Sequence, residues 1–432
     1  DTEAGCATQA DCADDEICHD SSCRKAPNCN RVAGWKHCVK EVEKFDKSLA
    51  RRAYCDGSNC RVACTLDKHC ADGEICTDYG KCRRFTGDLD AEEPGGDSRQ
   101  ALQAGVGEAL MSFPIGLSLG GYGSRAGGSG RYTEALRPTH GQMHGLYARA
   151  FLLDNGERKL LFMRLPIIFP SGALHEAVAR KLQEKTGENW RNSLLISGTH
   201  THSGPARFYQ LPDEALIPLG TFGTDEFHDQ AFQWLVDSAF AAADKAIEDR
   251  SPAKFGSKIV ENFDVDDTIS SDRWNQTPQF DDNRLLIMRI DEMDGTPRAV
   301  AVSYGTHGTI HSGDYFTGDS HFGLERGLEE ALAEEYGESV PVMYFNQNGG
   351  TMSPRGDAKG HDEPQRYAKL GEDFAEMTMQ EVTDIQTDRM LQLDGVTYRF
   401  PISYDLLGYG LDEWGETGLG SVHDNYEDGG RQ

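Results

Sequence analysis

The twelve cysteines of this chain are confined to its first fifth. All of them lie between Cys6 and Cys82, and the following 350 residues contain none. One set of four recurs later with near-identical spacing: Cys6, Cys12, Cys18 and Cys23 are repeated as Cys64, Cys70, Cys76 and Cys82. Each repeat is too short to bury a sufficient apolar core, so cross-links are the natural support for its fold.

The cysteine spacing favours disulfides over zinc as that support. The count is even and the gaps are about five residues, whereas structural zinc usually takes tighter Cys-x2-4-Cys pairs. Disulfides imply an oxidising compartment, and hence a secreted or cell-surface protein. The repeats resemble the small cysteine-rich modules of the dickkopf N-terminal type. We therefore predict a disulfide-rich module over residues 1–85 that makes surface or protein contacts.

An acidic, turn-rich linker is predicted over residues 86–100, and a catalytic domain over residues 101–432. In this domain strand and helix signals alternate, which predicts the α/β class: a mixed sheet with flanking helices behind the small disulfide-rich module. The predicted strands are Tyr147–Leu153, Lys159–Arg164, Ser193–Ser197, Leu285–Ile290, Ala299–Tyr304 and Val340–Phe345, with a further strand or strand pair over Leu391–Ile402. The predicted helices are Val39–Ala53, Leu174–Thr186, Asp225–Asp249, Gly323–Tyr336 and Glu363–Thr383.

The charge and hydropathy of the chain exclude two classes of partner. The net charge is −28, and residues 86–432 carry 56 acidic against 29 basic side chains. Such a domain repels nucleic acid and anionic membrane surfaces at long range, although the acidity can equally serve solubility alone. No stretch approaches the roughly 18 apolar residues of a transmembrane helix.

Polar, glycine-bearing loops follow three of the predicted strands. We name them the first loop (Gly198–Pro205), the second loop (Gly305–Asp319) and the third loop (Asn346–Gly356). Ligands of open α/β sheets bind outside the carboxyl ends of strands, so the three loops are expected to share one cleft. The first loop carries His200 and His202, which would point to one side of an extended backbone.

The second loop carries another pair, His307 and His311. A lone histidine is usually structural, but two such pairs at matching strand ends indicate a divalent metal such as zinc. In the third loop, Ser353 is expected near backbone N–H groups suited to an oxyanion, or else in an ordinary Ser-Pro turn. Near the start of the domain, Gly105-Val106-Gly107 lacks the third glycine of a dinucleotide fingerprint and is interpreted as a turn.

These motifs resemble those of the neutral/alkaline (non-lysosomal) ceramidases, zinc amidases that release fatty acid and sphingosine from ceramide. The strongest match is Ile196-Ser-Gly-Thr-His-Thr-His-Ser-Gly-Pro205. Further matches are Gly105-Val-Gly107 with Gly120-Gly-Tyr-Gly123, Tyr147-Ala-Arg-Ala-Phe151, Thr306-His-Gly-Thr309 with Ser312-Gly-Asp314 and Gly318-Asp319, and Phe345-Asn-Gln-Asn-Gly-Gly-Thr-Met-Ser-Pro354. The resemblance covers residues 103 to roughly 410.

The resemblance also implies roles for five residues. It makes His200 and His307 ligands of Zn²⁺, places His202 beside the metal as a proton-handling or orienting group, and places Ser353 at the catalytic centre. Arg273 aligns loosely with a family arginine that contacts substrate. Zinc would bring the pKa of bound water toward 7 and polarise the amide carbonyl.

The chain departs from the family pattern at several positions. Thr351 and Arg355 replace an aspartate and an asparagine of the family hexapeptide, and Leu165-Pro166 stands where the family commonly has an aspartate. The glutamate and tyrosine that complete the family's zinc site have no match before Gln432, so we expect the catalytic domain to be incomplete at its C-terminal end or its site to be built differently. His144, His311 and Asp319 are the candidate substitutes, or else plain structural residues.

We therefore predict a zinc-dependent amidase that hydrolyses the N-acyl bond of ceramide. An apolar segment from Phe208 to Phe222 is expected to line a lipid-accepting cleft or to fold into the core. Two alternatives stay open: a zinc hydrolase of another N-acyl amide or ester, and a non-catalytic extracellular binding protein of the same fold.

Overall fold

The structure of the chain is a computed structural model. It describes residues 16–19, 22–25, 34–44, 53–55, 60–62, 74–76, 82–84, 100–122, 125, 137–208, 227–272, 282–355 and 362–393. These residues fall into two compact units, one within residues 1–91 and one within residues 92–397.

The described part of the first unit consists of three antiparallel hairpins and one helix. The elements are β1 (Glu16–His19), β2 (Ser22–Lys25), α1 (Gly34–Glu43), β3 (Ala53–Cys55), β4 (Cys60–Val62), β5 (Glu74–Cys76) and β6 (Cys82–Arg84). The two sequence repeats fold alike: Cys18 stands opposite Cys23 in β1–β2, and Cys76 opposite Cys82 in β5–β6. The same opposition recurs between Cys55 and Cys60 in the third hairpin.

The helix predicted over Val39–Ala53 is wrong at both ends. Helix α1 begins at Gly34, and Ala53 already lies in β3. Cys38 lies inside α1 and has no exposed surface. The buried side chains of Cys38 and Val42 are four residues apart, so they share one helix face.

The second unit contains two mixed sheets where one was predicted. In chain order its strands are β7 (Gln100–Ala101), β8 (Gln103–Met111), β9 (Gly141–Gln142), β10 (Leu146–Asp154), β11 (Lys159–Leu165), β12 (Leu194–Gly198), β13 (Ser251–Pro252), β14 (Lys254–Val260), β15 (Ser270–Asp272), β16 (Leu285–Asp291), β17 (Pro297–Tyr304), β18 (Tyr315–Phe316), β19 (Val342–Asn346), β20 (Met352–Pro354) and β21 (Met390–Leu391). The first sheet has the order β12-β11-β10-β8-β13 and the second β14-β16-β17-β19.

Each sheet has one parallel pair, joined through a helix. Strands β11 and β12 are connected by α2 (Gly172–Thr186), and β17 and β19 by α4 (Asp319–Tyr336). The other pairs within these two sheets are antiparallel. Helices α3 (Asp229–Glu248) and α5 (Glu363–Thr383) complete the unit. The mixed α/β class is therefore confirmed.

The core of this unit comprises three clusters of buried apolar side chains. One lies between the first sheet and helices α2 and α3, where Leu152, Leu161, Val178 and Leu235 have no exposed surface. A second packs β16, β17 and β19 against α4 and α5, and a third joins residues of both sheets. Burial of this kind removes apolar area from water and supplies the main stabilising term. The strand ends that carry the loops thus project from a packed frame.

Strand β8 corrects the interpretation of Gly105-Val106-Gly107 as a turn. Both glycines lie inside β8 and face helix α3. A Cβ atom at Gly105 would lie 1.9 Å from the Ala246 carbonyl oxygen, and one at Gly107 would lie 2.1 Å from that of Ala242. Glycine is needed here because the helix backbone packs directly onto the strand.

The other predicted helices and strands begin and end within four residues of their predicted bounds, apart from the strand expected over Leu391–Ile402. Helix α3 begins at Asp229, four residues after the predicted start at Asp225. Helix α4 begins at Asp319, four residues before the predicted start at Gly323. Strand β14 was not predicted, and its alternating exposed residues suit its position at the edge of a sheet. Of the strand expected over Leu391–Ile402, only Leu391 is in a strand, and residues 394–402 lie outside the described residues. Among the described helices, none is long and apolar enough to cross a bilayer.

Candidate metal centre

The first loop brings its histidines together without an extended backbone. Strand β12 ends at Gly198, and His200 has a φ of 71°, in the left-handed region that costs a non-glycine residue about 1–3 kcal/mol. The N–H groups of Thr199 and His200 donate to the carbonyls of Leu165 and Ile167, at 2.9 and 3.0 Å. The expectation that strand alternation aligns His200 with His202 is therefore wrong. The backbone at and just after the end of β11 fixes the conformation of the loop instead, through these two hydrogen bonds.

The second loop is shaped by the start of helix α4. The carboxylate of Asp319 accepts hydrogen bonds from the N–H groups of Ile310, His311 and Ser320, at 2.7–2.9 Å. Burial raises the pKa of Asp319 to about 6. Further along the helix, the Ser320 hydroxyl donates to the carbonyl of His307 at 2.9 Å.

Another buried histidine supports this loop. His321 Nε2 donates to the carbonyl of Thr306 at 3.0 Å, and burial lowers the pKa of His321 to about 3, so the ring is neutral. Side chains of α4 therefore hold the backbone on both sides of His307.

The first and second loops meet directly. Thr201 and Gly308 form a parallel bridge, and the His202 N–H donates to the Gly308 carbonyl at 3.0 Å. Asn346, at the end of β19, joins the same two loops. Its side chain accepts from the Thr306 N–H at 3.2 Å and donates to the Thr199 carbonyl at 3.1 Å. The sequence alone does not indicate this role of Asn346, because the role depends on two segments that are distant in the chain.

Three imidazoles converge where these loops touch. Ligand atoms of His200, His202 and His307 all lie within 4.8 Å of one another. The ring centroids of His200 and His307 are 4.5 Å apart, and His202 Nε2 lies 2.9 Å from His307 Nε2. His202 and His307 are buried, and His200 is partly exposed. The expectation that histidines from two distant loops meet is confirmed.

The hydrogen bonds of two of these rings suit a metal ligand. His200 Nδ1 lies 2.8 Å from the Ile168 carbonyl, and His307 Nδ1 lies 3.0 Å from the Gly349 carbonyl. A carbonyl can only accept, so each Nδ1 carries the hydrogen and each Nε2 presents its lone pair. This arrangement is typical of metal-bound histidine. In a tetrahedral zinc site ligand nitrogens lie roughly 3.3 Å apart, and the separations here bracket that value.

The third loop contacts this cluster through its backbone. The His307 N–H donates to the Met352 carbonyl at 2.8 Å, which places Ser353 next to a residue bonded to a cluster histidine. Ser353 is partly exposed and stands opposite Ser271 in the β15–β20 pair. The N–H groups of Gly349 and Met352 already donate to carbonyls within the loop, so neither is available to an oxyanion.

Two other sequence predictions fall partly or wholly outside the described residues. Arg273 lies outside them and directly follows β15, the strand paired with the Ser353 segment. Of the apolar segment Phe208–Phe222, only Phe208 is described, and it is buried in the core. Asn348, expected in the shared cleft, donates to Asp282 at 2.9 Å.

The three candidate substitute ligands have other partners. His144 accepts from the Gly318 N–H at 3.1 Å, and burial lowers the pKa of His144 to about 4. His311 pairs with Glu363 at the start of α5, and Asp319 caps backbone N–H groups as above. In the described part of the chain, the one group of three or more metal-ligating side chains is the His200–His202–His307 cluster.

The comparisons with known proteins agree with this site. The family model for the neutral/alkaline non-lysosomal ceramidase N-terminal region matches residues 129–365, which is more than half of the chain. The chain belongs to this family.

The chain is also similar to individual neutral ceramidases over part of its length. Over 230 residues the chain is 27% identical to neutral ceramidase B of Dictyostelium discoideum, covering 48% of this chain and 30% of that protein. Over 248 residues it is 26% identical to neutral ceramidase of Mycobacterium tuberculosis, covering 52% and 37%. The chain thus spans about a third of these relatives.

The crystal structure of neutral ceramidase from Pseudomonas aeruginosa matches with a TM-score of 0.53 at 17% identity, over 66% of this chain and 45% of that one. At that identity the likeness establishes the fold alone.

Proposed function

We propose that this chain is a zinc-dependent amide hydrolase that cleaves the N-acyl bond of ceramide to sphingosine and fatty acid. The observation that carries the proposal is the convergence of three imidazoles within 4.8 Å in a chain of the ceramidase family. Nitrogen ligands at such separations suit Zn²⁺. The ceramidase names of the relatives supply the substrate class.

In this proposal His200 and His307 hold the metal through Nε2. Bound Zn²⁺ supplies Lewis acidity, which acidifies a water molecule and polarises the amide carbonyl. His202 handles the proton, because its ring lies beside both proposed ligands and is itself buried. Imidazole is the side chain that most often acts as a general acid or base in enzymes.

Ser353 and Arg273 complete the proposed site. Ser353 adjoins Met352, whose carbonyl holds His307, so its hydroxyl is assigned to the reacting amide, as nucleophile or as oxyanion donor. Arg273 is proposed to contact substrate on the basis of the family resemblance. The lipid-accepting cleft is proposed for the segment that follows Phe208.

The remaining part of the proposal concerns residues 1–85. We propose that they form a disulfide-rich module for surface or protein contact, joined by the 86–100 linker to the catalytic domain, in a secreted or cell-surface protein. The support is the confinement of all twelve cysteines to this region and the directly opposed cysteines of three hairpins. Mass spectrometry of the unreduced protein should find few free thiols.

The test combines metal analysis with a substrate panel. The purified protein should contain about one zinc per chain and release fatty acid from ceramide. His307→Ala should lower zinc affinity at least 100-fold, since even outer-shell partners of a metal are worth about 10–100-fold. Ser353→Ala should keep zinc and lose most turnover, and His202→Ala should do the same if His202 handles the proton.

The panel also decides between the alternatives. Turnover of short N-acyl amides or esters but not ceramide would favour the alternative of a zinc hydrolase with another substrate. Thr351 and Arg355, which depart from the family hexapeptide, are compatible with such a change of substrate. A protein without stoichiometric zinc or turnover would be the non-catalytic binding protein. A fully active Ser353→Ala variant would contradict the role of Ser353.

A further inference from the structure

Arg125 is a fully buried arginine in a glycine-rich stretch of the sequence. Six of the eleven residues from Gly120 to Gly130 are glycine, and Arg125 has no exposed surface. Burial lowers the pKa of Arg125 to about 10, so the guanidinium stays charged at neutral pH. A buried charge is costly unless it is well bonded, so its contacts show what it does.

The guanidinium joins three segments. One terminal nitrogen donates to the carbonyls of Gly120 and His202. The other donates to the Gly313 carbonyl at 2.7 Å and to the Ser203 hydroxyl at 3.2 Å. Arginine suits this position because its planar fork carries five N–H donors. These bonds hold the first loop against the second loop at the backbone of His202.

A second set of contacts reaches the His202 ring itself. The Arg125 guanidinium lies 4.8 Å from the ring centroid of Tyr122, and the Tyr122 ring meets His202 edge-on at 4.8 Å. A Cβ atom at Gly121, whose φ is +108°, would lie 2.5 Å from His202 Cγ. The segment that Arg125 anchors therefore packs against both the backbone and the ring of His202.

The charge of Arg125 is balanced by the second loop. Its Nε lies 3.7 Å from Asp314, and Arg137 lies 3.1 Å from the other oxygen of the same carboxylate. If Arg125 is replaced by a neutral residue, Asp314 keeps Arg137 as its counter-ion. Such a variant then loses the carbonyl contacts without leaving a buried carboxylate unpaired.

We propose that Arg125 is the positioning residue of His202: it holds the first loop against the second so that the His202 imidazole faces His200 and His307. This inference rests on the proposed function for its catalytic consequence, but its structural consequence is independent of metal and substrate. The resemblance to the ceramidase family assigns no role to Arg125.

The test uses Arg125→Met, which keeps an apolar stem, and Arg125→Lys, which keeps the charge but loses the fork. The matched control is Arg289→Met. Arg289 is also buried, pairs with Asp291 at 2.7 Å and donates to the Val382 carbonyl at 3.2 Å, away from the cluster. Crystal structures of the metal-free proteins report where the His202 ring lies. Steady-state kinetics with ceramide separates kcat from KM.

We expect Arg125→Met to displace the His202 ring from His307 and to lower kcat about 10–100-fold with little change in KM, as for outer-shell residues of metal sites. Arg125→Lys should recover part of the rate. Arg289→Met should lower thermal stability and leave kcat unchanged.

A His202 ring that keeps its place and a wild-type kcat in Arg125→Met would overturn the proposal. If that variant does not fold, an unmoved ring and full kcat in Arg125→Lys would overturn it equally. If the wild-type protein does not hydrolyse ceramide, the proposed function fails, and the position of the ring still decides the role of Arg125.

Discussion

The first and second loops both deliver histidines to the same point but are held in place differently. In the first loop, the N–H groups of Thr199, His200 and His202 all donate to backbone carbonyls. In the second loop, side chains of α4 take that role: the Asp319 carboxylate accepts two loop N–H groups, and His321 and Ser320 donate to loop carbonyls. Substitution of the first loop's own side chains leaves these backbone contacts in place, whereas the second loop depends on each of the buried α4 side chains that hold it.

The largest expected effect is that of Asp319→Asn, in the second loop. An amide offers one acceptor oxygen where the carboxylate accepts three N–H groups, and a buried donor left unpaired costs about 1–3 kcal/mol. We expect the free energy of unfolding to fall by about 3 kcal/mol, measured by urea denaturation. Hydrogen exchange should speed up at residues 305–318 before it does at residues 199–205. A loss below about 0.5 kcal/mol would refute this account of the second loop.

Acid should weaken the second loop selectively. His321 and His144 support it, and burial holds their pKa values at about 3 and 4, below the ordinary 6.5. Unfolding lets both rings take up protons, so their contribution to stability is complete above about pH 6.5 and is lost as the pH falls toward 4. Asp319, whose pKa is raised to about 6, takes up its proton in the folded state and opposes this trend.

His144→Gln isolates one of these contributions. Each histidine makes the unfolding free energy change by about 1.4 kcal/mol per pH unit within this window. The variant should therefore show a slope shallower by about that amount between pH 6 and pH 4.5, in urea melts at several pH values. An unchanged slope would mean that His144 is not held neutral.

The smallest expected effect is that of Thr201→Val, in the first loop. The Thr201 hydroxyl donates to the Thr317 carbonyl at 2.9 Å and accepts from the Ser203 N–H at 3.1 Å. The backbone contacts of the loop persist in the variant, so we expect a loss of about 1 kcal/mol by thermal or urea unfolding. A loss as large as that of Asp319→Asn would remove the distinction between the two loops.

The frame of the second unit was largely predictable from the sequence, because its strands are apolar runs and its helices have clear ends. Helix α5 matches its prediction at both ends, and Asp362 caps it with a reciprocal bond to Gln365. Strand β8 was missed because its glycines are required by packing against α3, a tertiary constraint. Helix α4 starts four residues before its predicted start. Its first residues include Asp319, Ser320 and His321, which are buried but polar and therefore have the sequence pattern of a loop.

The candidate site was predictable in its histidines but not in its supports. His200 and His202 follow β12 and His307 follows β17, and the three histidines converge although the two strands belong to different sheets. Their orientation comes instead from the left-handed backbone at His200 and from contacts of Asn346, Asp319 and Arg125, each with a segment distant in the chain. Such contacts have no local sequence pattern.

We propose that imidazoles from the first and second loops hold one cation. Anomalous diffraction from crystals of the zinc-loaded protein, recorded on both sides of the zinc absorption edge, tests it most directly. We expect a single strong anomalous peak about 2.0–2.1 Å from the Nε2 atoms of both His200 and His307. No peak at this position in zinc-loaded crystals, or a peak bound by only one of the two loops, would contradict it.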